Sequence, residues 1–177
     1  MRRHQPQRGF TLVELMTVIV IAGVLATLAL PTFRDMLERR RLEGQTNELV
    51  TDLQYAQSEA VARNRNVVLI TGGSGTCYTI AAWTVPASRA GSCDCTAAPG
   101  ARCTAGANNP VEVKTVTLVN SATVSDGVVF DFEPVRGALQ PIAPATVSVA
   151  ASAVIALGSR NHTVDVTALG RVVPVQP

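Results

Sequence analysis

Hydrophobic and polar positions divide this chain into three stretches. From Phe10 to Leu30 it reads FTLVELMTVIVIAGVLATLAL, with one charge, Glu14. As a helix that run covers roughly 31 Å, the depth of a bilayer's hydrocarbon core, and it predicts a membrane span over 10–30. From 31 to 65 the pattern turns amphipathic. Leu42, Leu49, Leu53, Ala56 and Ala60 fall within an arc of about 60° on a helix, whereas Glu48, Asp52, Glu59 and Arg63 are expected to point away from it. Pro31 either kinks one long helix or opens a second one. Beyond Arg65 come short β-branched runs: Val67–Thr71, Tyr78–Val85, Val113–Val119, Val128–Phe132, Thr146–Ala150, His162–Thr167 and Arg171–Val175. Gly72-Gly73-Ser74-Gly75 and Gly158-Ser159-Arg160-Asn161 punctuate them as turns. A long helix followed by strands predicts an α+β fold, the helix packed across an antiparallel sheet formed within 66–177.

Composition narrows the class. Of 177 residues, 47% are hydrophobic and 16% charged, which excludes intrinsic disorder. A single long apolar run excludes a polytopic membrane protein. The formal charge is +2, but Arg2, Arg3 and Arg8 all lie in the first nine residues, and without them twelve basic residues face thirteen acidic ones, a net of −1. The basicity belongs to a leader, so it gives little ground for a nucleic-acid partner. By the same asymmetry the leader stays cytoplasmic and everything after Leu30 is sent outward.

Three readings compete for the amino terminus. A cleaved secretory signal has a shorter apolar core and a small-x-small cut site, which ALPTF does not supply. A plain anchor explains the length but not Glu14, because a carboxylate in lipid costs about 2.5 kcal/mol or more. The third reading accounts for both. Arg8-Gly9-Phe10-Thr11-Leu12-Val13-Glu14 resembles the leader junction of type IV pilins and pseudopilins. The resemblance implies that residues 1–9 are a leader, cut by prepilin peptidase between Gly9 and Phe10, and that Phe10 is then N-methylated. Glu14 becomes the fifth mature residue, where a neighbouring subunit's new amine can neutralise it, and register in a filament follows from that pairing.

The distal half resembles the GspH/FimT family of pseudopilins and minor pilins. The likeness rests on LQYAQSEAVARNRNVVL at the end of the long helix, Phe132-Glu133-Pro134-Val135-Arg136-Gly137, and Ala168-Leu169-Gly170-Arg171. It implies a structural subunit that initiates or caps a type IV pilus or a type II secretion pseudopilus. Such a subunit crosses the bacterial inner membrane once, holds its carboxy-terminal domain in the periplasm and has other pilins or pseudopilins as partners. Some relatives also bind DNA for uptake in natural transformation, through a Gly-Arg followed by further basic residues. Here Arg171 is followed by Val172, Val173 and Pro174, so Arg160 and Arg171 make a thin set of phosphate contacts, and DNA binding is the alternative reading.

Residues 86–110 form an insertion rich in Ala, Gly, Ser and Asn. It holds Cys93, Cys95 and Cys103, with Cys77 before it. No histidine lies in the segment and the Cys93–Cys95 spacing is too short for a usual zinc site, so disulfides are expected in an oxidising compartment and no metal. A Cys93–Cys95 bridge would close a very tight ring, which leaves Cys77 and Cys103 to take one each of that pair. Enzymatic equipment is not expected, nor a cofactor. His4 sits in the leader, His162 stands alone beside Asn161, and Asp131 and Glu133 are expected on a strand surface. Arg39-Arg40-Arg41 could touch lipid or DNA phosphates, but with Asp35, Glu38 and Glu43 nearby it reads first as a solvated helix face.

Overall fold

The computed structural model describes residues 9–83, 93–103, 110–140 and 151–175, the side chains of 28–32 aside. The chain divides into two compact units, Met1–Glu38 and Arg39–Pro177. Helix α1 runs from Leu12 to Arg63, unbroken in its backbone through Pro31. Its end is a Schellman motif: Asn64 takes a left-handed φ of 50°. Its N–H bonds the Val61 carbonyl, and the Arg65 N–H reaches back to Ala60. Asparagine tolerates that conformation better than most residues, so it stops the helix in place of a glycine.

Two four-stranded antiparallel sheets follow. One has the order β3 (Val111–Thr117), β2 (Cys77–Trp83), β1 (Asn66–Gly72), β5 (Val129–Phe132). The other has the order β4 (Thr123–Val124), β6 (Ala151–Leu157), β7 (Arg160–Val166), β8 (Val172–Val175). Both contribute to one core, in which Leu42, Leu49, Leu53, Ala56 and Ala60 of α1 meet Leu69, Ile80, Phe130, Ile155 and Val164. In β1, Val67 and Leu69 face that core while Val68 and Ile70 join a second cluster around Trp83, packed by Cys93 and Cys103. Burial on both faces is why β1 and β2 read as nearly continuous apolar runs.

Several expectations need correction. Ala151–Leu157 is a strand that the β-branched pattern does not reveal. Its alanines carry little β-propensity, but Ala153, Ile155 and Leu157 alternate inward. The expected strand Thr146–Ala150 lies outside the described residues, as do the end of Tyr78–Val85, the leader residues 1–8 and most of the insertion. Arg160 and Asn161 belong to β7 rather than to a turn, because Leu157 pairs with Arg160 and only Gly158 and Ser159 make the loop. Pro174 is accommodated because β8 is an edge strand. Asp131 is buried rather than on the surface: Phe130 and Phe132 take the core face, which turns it toward Asn66, whose amide donates to it at 3.2 Å.

Asp52 corrects the helix reading. It lies roughly 70° off the centre of the apolar arc, at the flank rather than opposite it, and is only 3% exposed. Its carboxylate accepts from the Tyr78 hydroxyl at 2.8 Å and from Lys114 Nζ at 2.6 Å, pinning α1 to β2 and β3. Burial first, then the Asp52 charge, pushes the Tyr78 phenol well above its ordinary range. Folding thus favours the neutral hydroxyl. The resulting stability is complete below about pH 10, where an unfolded tyrosine titrates, and is lost as the pH climbs beyond it. Tyr78→Phe is expected to cost about 1–2 kcal/mol at neutral pH and to flatten the fall of the urea midpoint between about pH 9 and 11. Urea titrations across that range check both.

Candidate functional site

The leader junction is described from Gly9 onward. Thr11 stands immediately before α1, and its hydroxyl accepts the Glu14 N–H at 3.2 Å, so Thr11 caps the helix and Glu14 occupies the third helical position. Thr-x-x-Glu is the capping-box spacing, and a carboxylate there also suits the positive end of the helix dipole. The signal for this local role is the spacing in Thr11-Leu12-Val13-Glu14, which the reading of Glu14 as a partner for an amine overlooks. Every side chain from Phe10 to Thr27 is exposed, Phe10 at 83% and Leu12 at 74%. A helix apolar on all sides requires burial by something outside the chain's own core. Among the described residues no helix is long and apolar enough to cross a membrane.

The three distal segments quoted above converge. Gln57, in the last third of α1, donates to the Gly137 carbonyl at 3.0 Å. Gly137 closes the turn that begins at Glu133, and the Leu139 N–H bonds the Ala168 carbonyl at 3.1 Å, joining the first sheet to the turn before β8. Gly170, at φ +81°, lies so close that a Cβ would stand 2.3 Å from the Gly137 carbonyl oxygen. Helix end, first turn and last turn are thus one structural node. Its outer surface carries the exposed Val135 and Leu169. Gln57 is not among the residues that sequence reasoning singles out, because a lone glutamine on a helix flank gives no local signal.

The cysteines pair as Cys77–Cys95 and Cys93–Cys103. The first fastens the insertion to the start of β2, and the second closes its own ring. Arg102 completes the attachment through Glu112 of β3 at 2.8 Å. That hydrogen bond, then one from Thr115, holds the Glu112 carboxyl below its usual range. Replacing Cys77 and Cys95 by serine should lower stability by about 3 kcal/mol, the scale for a loop of this length. Because the helix-facing core lies on the other face of β1, the domain should still fold; chemical denaturation of the variant checks this.

Arg160 and Arg171 are not brought together. Arg160 opens β7 and Arg171 lies past its far end, six residues of strand or about 20 Å away. Arg160 instead lines a cleft with Arg39, Glu43 and His162. His162 is not alone: its Nδ1 lies 3.2 Å from the Thr46 hydroxyl. The same hydroxyl lies 2.8 Å from the Leu42 carbonyl, which accepts from it. Among the described residues no group of three His, Cys, Asp or Glu could hold a metal ion.

Comparison with known proteins fits this geometry at both ends. The family model for type II transport protein GspH matches residues 45–170, which include the whole node. A prokaryotic N-terminal methylation motif matches residues 4–30, across the junction. A fimbrial protein of Pseudomonas aeruginosa is 35% identical over 74 residues, 42% of this chain and 47% of that protein. Fimbrial protein EcpC of Eikenella corrodens is 49% identical over 43 residues, 24% of this chain and 28% of that one. The chain thus spans about half or less of the length of these curated relatives. The crystal structure of the type IV minor pilin FimU of Pseudomonas aeruginosa aligns with a TM-score of 0.50 at 18% identity, covering 79% of this chain and 91% of that one. At that identity the likeness is one of fold.

Proposed function

This chain belongs to the GspH family, and from that premise we propose that it is a minor pilin or pseudopilin, a structural subunit that initiates or caps a type IV pilus or a type II secretion pseudopilus. Prepilin peptidase cuts between Gly9 and Phe10 and the new terminus is methylated. Residues 10–30 then hold the subunit in the inner membrane, with the domain from 66 onward in the periplasm, until it joins other pilins in a filament. The observation that carries this reading is the head of α1: a capped helix whose first turn holds a single carboxylate, followed by apolar side chains exposed on every side. A neighbouring helix or lipid can cover the apolar surface, and the α-amine of an adjacent copy can neutralise Glu14. The two filaments share this arrangement, and the proposal concerns the subunit role common to both.

The test is the intact mass of protein purified from its native membrane. The expected species begins at N-methyl-phenylalanine 10, and a strain lacking the peptidase should retain residues 1–9. A mature chain that begins anywhere else would overturn the proposal.

A further inference from the structure

The turn between β6 and β7 stands beside the first residues of the Arg39–Pro177 unit and encloses with them an open cleft of about 420 Å3. Its polar lining is Arg39 and Glu43 from the helix and Ser159, Arg160, Asn161 and His162 from the turn and β7. We propose that this cleft binds the phosphate of an anionic phospholipid headgroup, in the membrane that the preceding apolar segment enters. The proposal rests on the membrane-anchored reading above.

The chemistry of the lining favours a phosphate. Two guanidiniums, a hydroxyl, an amide and an imidazole face one carboxylate, and that carboxylate already pairs with Arg40 at 3.3 Å. Guanidinium forks match phosphate oxygens in geometry as well as charge. The scaffold is well tied. Leu157 pairs with Arg160, alternation along β7 puts Arg160 and His162 on one face, and Thr46 fixes the imidazole. Both arginines also take part in interactions within the protein, so the phosphate joins an existing polar network.

Chain length identifies the source of the phosphate. Arg39 lies nine residues after Leu30, a separation of about 13 Å if helical and about 32 Å at full extension. Nine residues of chain tether the cleft to the outer face of the membrane that a span ending at Leu30 enters, so the nearest abundant phosphate is that of a lipid headgroup. Diffuse charge is a poor alternative, since Arg34, Arg39, Arg40 and Arg41 are nearly balanced by Asp35, Glu38 and Glu43. DNA is also poorly served: it binds through several phosphates spread over a surface, and a single cleft holds one.

The mature full-length chain in a zwitterionic detergent is titrated by calorimetry with four probes: dihexanoyl-phosphatidylglycerol, dihexanoyl-phosphatidylcholine, inorganic phosphate and a short single-stranded oligonucleotide. The phosphatidylglycerol is expected to bind saturably and more tightly than the others. Arg39→Gln with Arg160→Gln should weaken that binding about tenfold or more. Arg65→Gln with Arg136→Gln should leave it unchanged, with melting temperatures taken for both variants and the single Arg39→Lys and Arg160→Lys proteins as gentler substitutions. Inorganic phosphate binding as tightly as the lipid, an oligonucleotide binding more tightly than it, or equal losses in both double variants would each overturn the proposal. Carbonate-resistant sedimentation with membranes tests the anchored reading separately, so failure of one is not mistaken for failure of the other.

Discussion

Glu14→Ala is expected to leave cleavage after Gly9 intact and to remove the protein from sheared filaments, with at least a tenfold drop in the filament fraction at an unchanged membrane level. Locally the change is small. Thr11 still caps α1 through its hydroxyl, and losing the acidic partner of a capping box costs about 1 kcal/mol or less. The large effect lies between subunits. Without Glu14 the neighbour's α-ammonium is left unpaired inside an apolar assembly, which costs several kcal/mol, whereas the intact pair fixes register. Glu14→Gln separates the two roles, because glutamine can complete the cap but carries no charge. Charge pairing predicts that the glutamine protein is lost from filaments as completely as the alanine protein, and capping alone predicts that it is retained. Immunoblots of sheared and membrane fractions decide between them.

What the sequence reveals depends on how local each signal is. The apolar arc of α1 is legible because helical spacing alone defines it, and all five of its named residues are fully or almost fully buried. The strands β1 and β5 are legible within a residue, and β2 at its start, since they are rich in β-branched and aromatic side chains and those boundaries fall near turn residues. β6 is obscured by alanine, and β4 is only two residues long. Asp52 is misplaced by any reading that equates charge with exposure. Its burial depends on Tyr78 and Lys114, both distant in sequence. The pairing of Cys77 with Cys95 likewise cannot be read from spacing, which leaves two of three connectivities open.

The candidate site divides in the same way. At the junction every residue of the motif lies within seven positions, so the motif itself is legible from the order of side chains alone. The distal node brings together Gln57, Gly137 and Gly170, which are separated by 80 and 33 positions, and no periodicity links them. In the sequence their three segments stand out only as a family likeness, and the fold supplies the physical reason for it: they are the parts of one contact.

That contact predicts the largest loss of stability from a single methyl group. Gly170→Ala is expected to destabilise the domain by about 4 kcal/mol or more, as the sum of two costs. The residue holds φ at +81°, a conformation that costs a side chain about 1–2 kcal/mol. The added carbon would also stand 2.3 Å from the Gly137 carbonyl oxygen and 2.5 Å from Gln57 Nε2. The glutamine could rotate, but only by giving up its 3.0 Å bond to that same carbonyl. The carbonyl cannot withdraw freely either, because Gly137 is held by the Glu133 turn and the Leu139–Ala168 bond follows two residues later. Relief therefore requires the two turns to part, and that opens the seam between the sheets. Gly158→Ala makes the control: its φ is also positive, at +61°, but nothing lies within 4 Å of the added carbon, so only the conformational cost remains. Urea unfolding of the two variants should differ by at least about 2 kcal/mol. Equal losses would mean that the node adds nothing beyond backbone strain.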